Sequence, residues 1–97
     1  HLYHDASADE AAWAFAQLRH QKGYWTDRSP QVAWPGVPAV SIVCAEDRAV
    51  TPDWSRRVAR KWLGLTPIEF PGGHSPHLTR PRELAVLLDR LAQSVFA

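Results

Sequence analysis

Residues 39–47, Ala-Val-Ser-Ile-Val-Cys-Ala-Glu-Asp, form the stretch that decides the fold of this chain. The segment from Ala39 to Cys44 is short and almost entirely apolar, which is typical of a parallel strand covered on both faces. Two acidic residues, Glu46 and Asp47, follow at the point where this strand would end. We therefore predict a buried strand that delivers a carboxylate to one edge of a parallel sheet.

A helix and a second strand follow in the order expected of a strand–helix–strand unit. Thr51 as N-cap and Pro52 at the first helical position predict the start of the helix, and Gly64 lies where a C-terminal cap belongs. Residues 66–70 predict the second short strand. Because the crossover in such a unit joins parallel strands, the two strands should be neighbours in one sheet.

Two further helices are predicted, one near each end of the chain, and residues 23–38 predict a loop between the first helix and the first strand. Ser7 and Glu10 form a capping box that starts the first helix. The last helix should begin near Pro81. Its apolar stripe consists of Leu84, Leu87, Leu88, Leu91 and Val95. The buried face of the middle helix is predicted to consist of Trp54, Val58 and Trp62.

His74 follows the second strand and the two glycines of Pro71-Gly72-Gly73-His74-Ser75. Since the carboxyl ends of parallel strands meet at one edge of a sheet, an acid of the first loop, Glu46 or Asp47, should lie within hydrogen-bonding reach of His74, about 2.6 to 3.2 Å. Such a pair supplies two members of a nucleophile–base–acid triad. The third member, a serine or cysteine in a Gly-x-Ser-x-Gly turn, does not occur in these 97 residues.

The two motifs together resemble the C-terminal part of an α/β-hydrolase, with particular similarity to the branch of methyl esterases and hydroxynitrile lyases. The resembling residues span roughly 38–91. They are Val43 to Arg48, Pro52, Glu69 to His74, Leu78, Pro81 and Leu84. The resemblance implies the C-terminal portion of a doubly wound, mostly parallel α/β sheet with the end of a helical cap. Residues 1–35 would then be the end of the cap region and a linker, and residues 36–97 the strand–helix–strand–helix part of the core.

The same resemblance implies the roles of individual residues. Asp47 falls on the triad acid and His74 on the triad base, while the serine would lie outside this chain. The substrate would be a carboxylic ester or related acyl compound, and no cofactor is required. His77 and Trp13 are the candidate substrate-binding residues.

Several alternatives stay open at this stage. A non-catalytic, hydrolase-like protein that binds a small ligand is possible because fold does not fix function. A hydroxynitrile lyase is disfavoured because such lyases carry a lysine where Ser75 follows the histidine. Cys44 has the properties of a small buried residue rather than of a nucleophile. His74 and His77 could take part in a metal site only with a third ligand that the sequence does not indicate.

Composition narrows the classes of partner. Eleven basic and ten acidic residues give a net charge of +1, which provides no electrostatic basis for binding nucleic acid or an anionic membrane. The single cysteine excludes an internal disulfide, and no apolar stretch of about 18 residues is present, so we expect a cytoplasmic protein.

A two-stranded parallel sheet is not stable alone, because its strands need neighbouring strands and elements that cover both faces. We therefore expect these residues to pack against a missing N-terminal hydrolase portion or a second chain.

Overall fold

The computed structural model describes residues 1–23, 33 and 35–95. The elements are α1 (Ala8–Gln17), β1 (Ile42–Cys44), α2 (Pro52–Leu63), β2 (Ile68–Phe70), α3 (Pro76–Thr79) and α4 (Pro81–Ser94). Strands β1 and β2 pair in parallel with Val43 opposite Glu69, which confirms the predicted strand–helix–strand unit. Most of the loop predicted for residues 23–38 lies outside the described residues.

The helix ends follow the signals in the sequence. Glu10 N–H donates to the Ser7 hydroxyl and Ser7 N–H donates to the Glu10 carboxylate, each at 3.2 Å, so the predicted capping box is present at α1. Helix α2 begins with Pro52 after Thr51, and it ends at Gly64 in the left-handed conformation with φ of 65°. Glycine tolerates this conformation because it has no Cβ.

Both strands are shorter than predicted. The sequence predicted strands over residues 39–44 and 66–70, but the ladder pairs only Ile42–Cys44 with Ile68–Phe70. The ladder begins at Ile68, whose N–H donates to the Ser41 carbonyl at 2.8 Å, and it continues past the strands where Ala45 N–H donates to the Phe70 carbonyl. The short ladder therefore leads directly into the two loops that carry Asp47 and His74.

The core of the described residues lies where α2 packs against the sheet. Val43, Ala59 and Phe70 are buried there, and Ala14 is buried on α1. The prediction that Trp54 and Trp62 belong to the buried face of α2 is wrong, because they are 51% and 70% exposed. The buried residue of α2 is instead the small Ala59, which is 1% exposed.

The C-terminal part contains one helix that the sequence did not predict, the single turn α3, which precedes α4. Helix α4 begins at Pro81 as predicted. The predicted buried stripe of α4 is confirmed only in part, because Leu84, Leu87 and Leu91 are half-buried whereas Leu88 and Val95 are exposed.

The described residues form a sheet of two strands, so the larger doubly wound sheet remains a prediction. None of the helices in the described ranges is long and apolar enough to cross a lipid bilayer.

Candidate active site

Two loops leave the same edge of the sheet and are joined by backbone hydrogen bonds. Ala45 N–H, after β1, donates to the Phe70 carbonyl at 2.8 Å. Glu46 N–H donates to the Gly72 carbonyl at 3.0 Å. These bonds continue the pairing beyond the strands, so the acid loop and the histidine loop are held side by side.

The predicted contact between Asp47 and His74 is present. His74 Nδ1 lies 2.8 Å from Asp47 Oδ2, within hydrogen-bonding distance. The other carboxylate oxygen, Oδ1, accepts the N–H groups of Ala49 and Val50 at 2.8 and 2.9 Å. The carboxylate on the imidazole therefore belongs to Asp47 and not to Glu46, and its orientation is fixed by two backbone bonds.

The hydrogen bonds on Asp47 favour its ionised form. Burial alone would raise the pKa of Asp47, but the bonds from Val50 N–H, from His74 and from Ala49 N–H outweigh it and hold this pKa below its usual range. An ionised carboxylate only accepts hydrogen bonds, so the proton in the contact belongs to Nδ1 of His74. A neutral His74 in this tautomer carries its free lone pair on Nε2.

The Asp47 side chain is less exposed to solvent than the His74 side chain, and proton transfer at His74 requires that its imidazole be accessible. The Asp47 side chain is 11% exposed and the His74 side chain is 35% exposed. The acid is thus shielded from water, while the imidazole is open to a group outside these loops. The arrangement can accept a proton at Nε2 and stabilise the imidazolium that results.

The lowered pKa of Asp47 predicts a particular dependence of stability on pH. A depressed carboxyl pKa stabilises the folded protein above the pKa of the unfolded chain, about 3.9, and this contribution is lost as the pH falls through the folded value. The free energy of unfolding should therefore decrease more steeply below about pH 4 in the parent than in Asp47→Asn. Urea unfolding of both proteins over a pH series measures this difference. An equal decrease in the free energy of unfolding of the parent and of the variant below about pH 4 would contradict this expectation.

The N-terminal segment contacts the histidine loop on both sides of His74, which the sequence did not indicate. Asp5 Oδ2 accepts the Gly73 N–H at 2.7 Å. The buried Ser75 donates its hydroxyl to the Leu2 carbonyl at 3.0 Å. No local pattern could reveal these contacts, because 68 and 73 residues separate the partners.

The other candidate reactive groups are not prepared for attack. Burial, followed by the charges of Asp47 and Asp5, raises the pKa of the Cys44 thiol, so Cys44 stays protonated near neutral pH. The Ser75 hydroxyl is buried and bonded to a carbonyl oxygen rather than to His74. In the described ranges, no group of three or more His, Cys, Asp or Glu residues could hold a metal ion.

The two candidate substrate-binding residues, Trp13 and His77, line one groove of about 420 Å³. The groove lies between α1 and α3, and its remaining lining is Tyr3, Ala14, Gln17, Leu18 and Leu78. The structure thus brings together residues that are 64 positions apart in the chain. Their part in binding a substrate remains a prediction.

The described residues form a parallel β–α–β unit with a hydrogen-bonded His–Asp pair beyond the carboxyl ends of its strands, which is the edge at which open α/β sheets bind ligands. The model of the alpha/beta hydrolase family matches residues 1–87 of the chain, and the chain therefore belongs to that family. No curated protein and no solved structure matches the sequence.

Proposed function

We propose that this chain carries the base and the acid of a Ser-His-Asp triad in a hydrolase of carboxylic esters. The observation that carries the proposal is the 2.8 Å contact between His74 Nδ1 and an Asp47 carboxylate already fixed by two N–H groups. Membership of the alpha/beta hydrolase family makes hydrolysis the natural use of this pair. The choice of esters follows the similarity to the methyl esterase branch.

In the proposed reaction, His74 Nε2 takes the proton of a serine hydroxyl as that oxygen attacks the ester carbonyl. The imidazolium then gives this proton to the departing alkoxide, and an acyl-serine remains. A water molecule that is deprotonated by His74 then attacks the acyl-serine. The imidazolium returns this proton to the serine oxygen, which releases the carboxylic acid and the free serine. Asp47 holds the tautomer throughout and stabilises the positive charge on His74.

The serine belongs to residues outside these 97, because the sequence contains no Gly-x-Ser-x-Gly turn and Ser75 is bonded elsewhere. Exposed apolar surface supports packing against a further hydrolase portion or a second chain. Trp54, Trp62 and Leu88 are each at least half exposed, and β1 and β2 have only each other as partners in the described sheet. These exposed side chains and the unpaired strand edges are surface that a further hydrolase portion or a second chain could cover.

The test uses the protein expressed from its complete reading frame and a panel of activated esters with acyl chains of increasing length. Burst kinetics followed by steady turnover would support a covalent acyl intermediate. A protein that binds small carboxylic acids but hydrolyses none of the esters would instead establish the small-ligand binding alternative.

A further inference from the structure

The Asp5 carboxylate lies directly against the backbone that presents His74. Besides the 2.7 Å bond from Gly73 N–H, a Cβ on Gly73 would lie 2.7 Å from Asp5 Oδ1 and 2.6 Å from His4 Cε1. A Cβ on Gly72 would lie 3.0 Å from Asp5 Oδ2. Both glycines are therefore needed for the carboxylate to approach the loop this closely.

The contact has the properties of a charge-assisted hydrogen bond. Asp5 is exposed as a residue, and although the slight desolvation of its carboxylate would raise the pKa of Asp5, the Gly73 N–H bond, its own backbone N–H, the nearby His4 and the Thr79 hydroxyl together lower that pKa. Asp5 is thus a carboxylate near neutral pH, and hydrogen bonds to ionised acceptors are shorter and stronger than neutral ones.

The bond between Asp5 and the Gly73 N–H acts on the backbone before His74, whereas Asp47 acts on the imidazole ring. Asp47 fixes the imidazole through Nδ1. The backbone of the loop is fixed before His74 by the Glu46 N–H at the Gly72 carbonyl and by Asp5 at the Gly73 N–H, and after it by the Leu2 carbonyl at Ser75. Gly72 has φ of 97° and carries no side chain that could hold the turn. Without Asp5, the loop would retain the imidazole contact but lose the anchor of the residue directly before His74.

We propose that Asp5 is a positioning residue, whose carboxylate holds the Gly73 N–H so that His74 Nε2 is aligned with the group that it deprotonates. This inference rests on the proposed function of His74. It also gives the N-terminal segment a role in catalysis, since that segment connects the histidine loop to α1 and its groove.

The experiment compares Asp5→Ala and Asp5→Asn in the complete protein, with Asp9→Ala as the matched control. Asparagine keeps an oxygen that can accept from Gly73, and Asp9 is an exposed acid in the first turn of α1 whose removal changes the charge equally. Because a misplacement of about 1 Å can cost about 100-fold in rate, Asp5→Ala should lower kcat about 10- to 100-fold with little change in KM. Asp5→Asn should recover most of that loss, and Asp9→Ala should leave both constants unchanged.

A second readout does not depend on turnover. The proton on His74 Nδ1 should give a low-field proton NMR signal in the parent, which Asp47→Asn identifies by removing it. Asp5→Ala should shift or broaden this signal, and Asp5→Asn should preserve it.

A parent that hydrolyses no ester while its NMR signal responds to Asp5→Ala would overturn the proposed function and support the role of Asp5 in holding the Gly73 N–H. Equal losses of kcat in Asp5→Ala and Asp5→Asn, or an unchanged kcat and signal in Asp5→Ala, would overturn the positioning role itself.

Discussion

Replacing His74 with Ala is expected to lower the turnover of carboxylic esters by roughly 10⁴- to 10⁶-fold in the complete protein. In the proposed reaction, the His74 imidazole is the group among the described residues that takes the serine proton and returns it to the leaving alkoxide. Its loss removes stabilisation of the transition state rather than substrate binding, so kcat should fall and KM should change little. Steady-state kinetics with an activated ester measures both constants.

The folded state should tolerate this change, because His74 lies on a loop and its side chain is one-third exposed, at 35%. His20→Ala is the matched control, since His20 is an exposed histidine after the end of α1 and should be silent. His77→Ala should cost much less than His74→Ala and act mainly on KM, in line with its place in the groove. Near-normal turnover in His74→Ala together with an inactive His77→Ala would show that the two roles are wrongly assigned.

Asp47→Asn is expected to cost roughly 10³- to 10⁴-fold in kcat while the loop keeps its shape. The N–H groups of Ala49 and Val50 both donate to Oδ1, so the asparagine oxygen should remain there. The amide nitrogen then replaces Oδ2 beside His74 and donates to Nδ1. This forces the proton of a neutral imidazole onto Nε2, where the lone pair is needed.

Glu46→Gln is the control for Asp47→Asn, because Glu46 is the adjacent, exposed acid. Its substitution should leave kcat within a factor of about two, because the Glu46 side chain is exposed and the carboxylate on His74 is that of Asp47. A larger loss of kcat in Glu46→Gln than in Asp47→Asn would mean that the acid of the pair has been misassigned.

The parts of the fold that depend on local backbone chemistry could be predicted from the sequence. The capping box at Ser7, Pro52 at the start of α2 and Gly64 at its end each express a conformational preference of one or two residues. Burial could not be predicted in the same way. Trp54 and Trp62 have the spacing of a buried face, but α2 contacts the sheet through Ala59. Spacing identifies which residues share a side of the helix and not which side meets the partner.

In the candidate site too, one contact could be predicted from the sequence and another could not. The Asp47–His74 contact could be predicted because parallel strands bring their carboxyl ends to one edge, so the topology alone places the two loops together. The contact of Asp5 with Gly73 could not, because it depends on how the N-terminal segment folds back over the loop. Nothing near Asp5 in the sequence specifies a partner 68 residues away.

The most direct test of the central claim is covalent labelling of the complete protein by a fluorophosphonate, which transfers its phosphonyl group to an activated serine oxygen and releases fluoride. The account predicts one label per protein, on a serine outside residues 1–97, in the parent and in His20→Ala. Labelling should be slower by orders of magnitude in His74→Ala and in Asp47→Asn, since both impair removal of the serine proton. No labelling of the parent, or labelling that proceeds equally fast without His74, would contradict the assignment of His74 and Asp47 as the base and acid of a serine hydrolase.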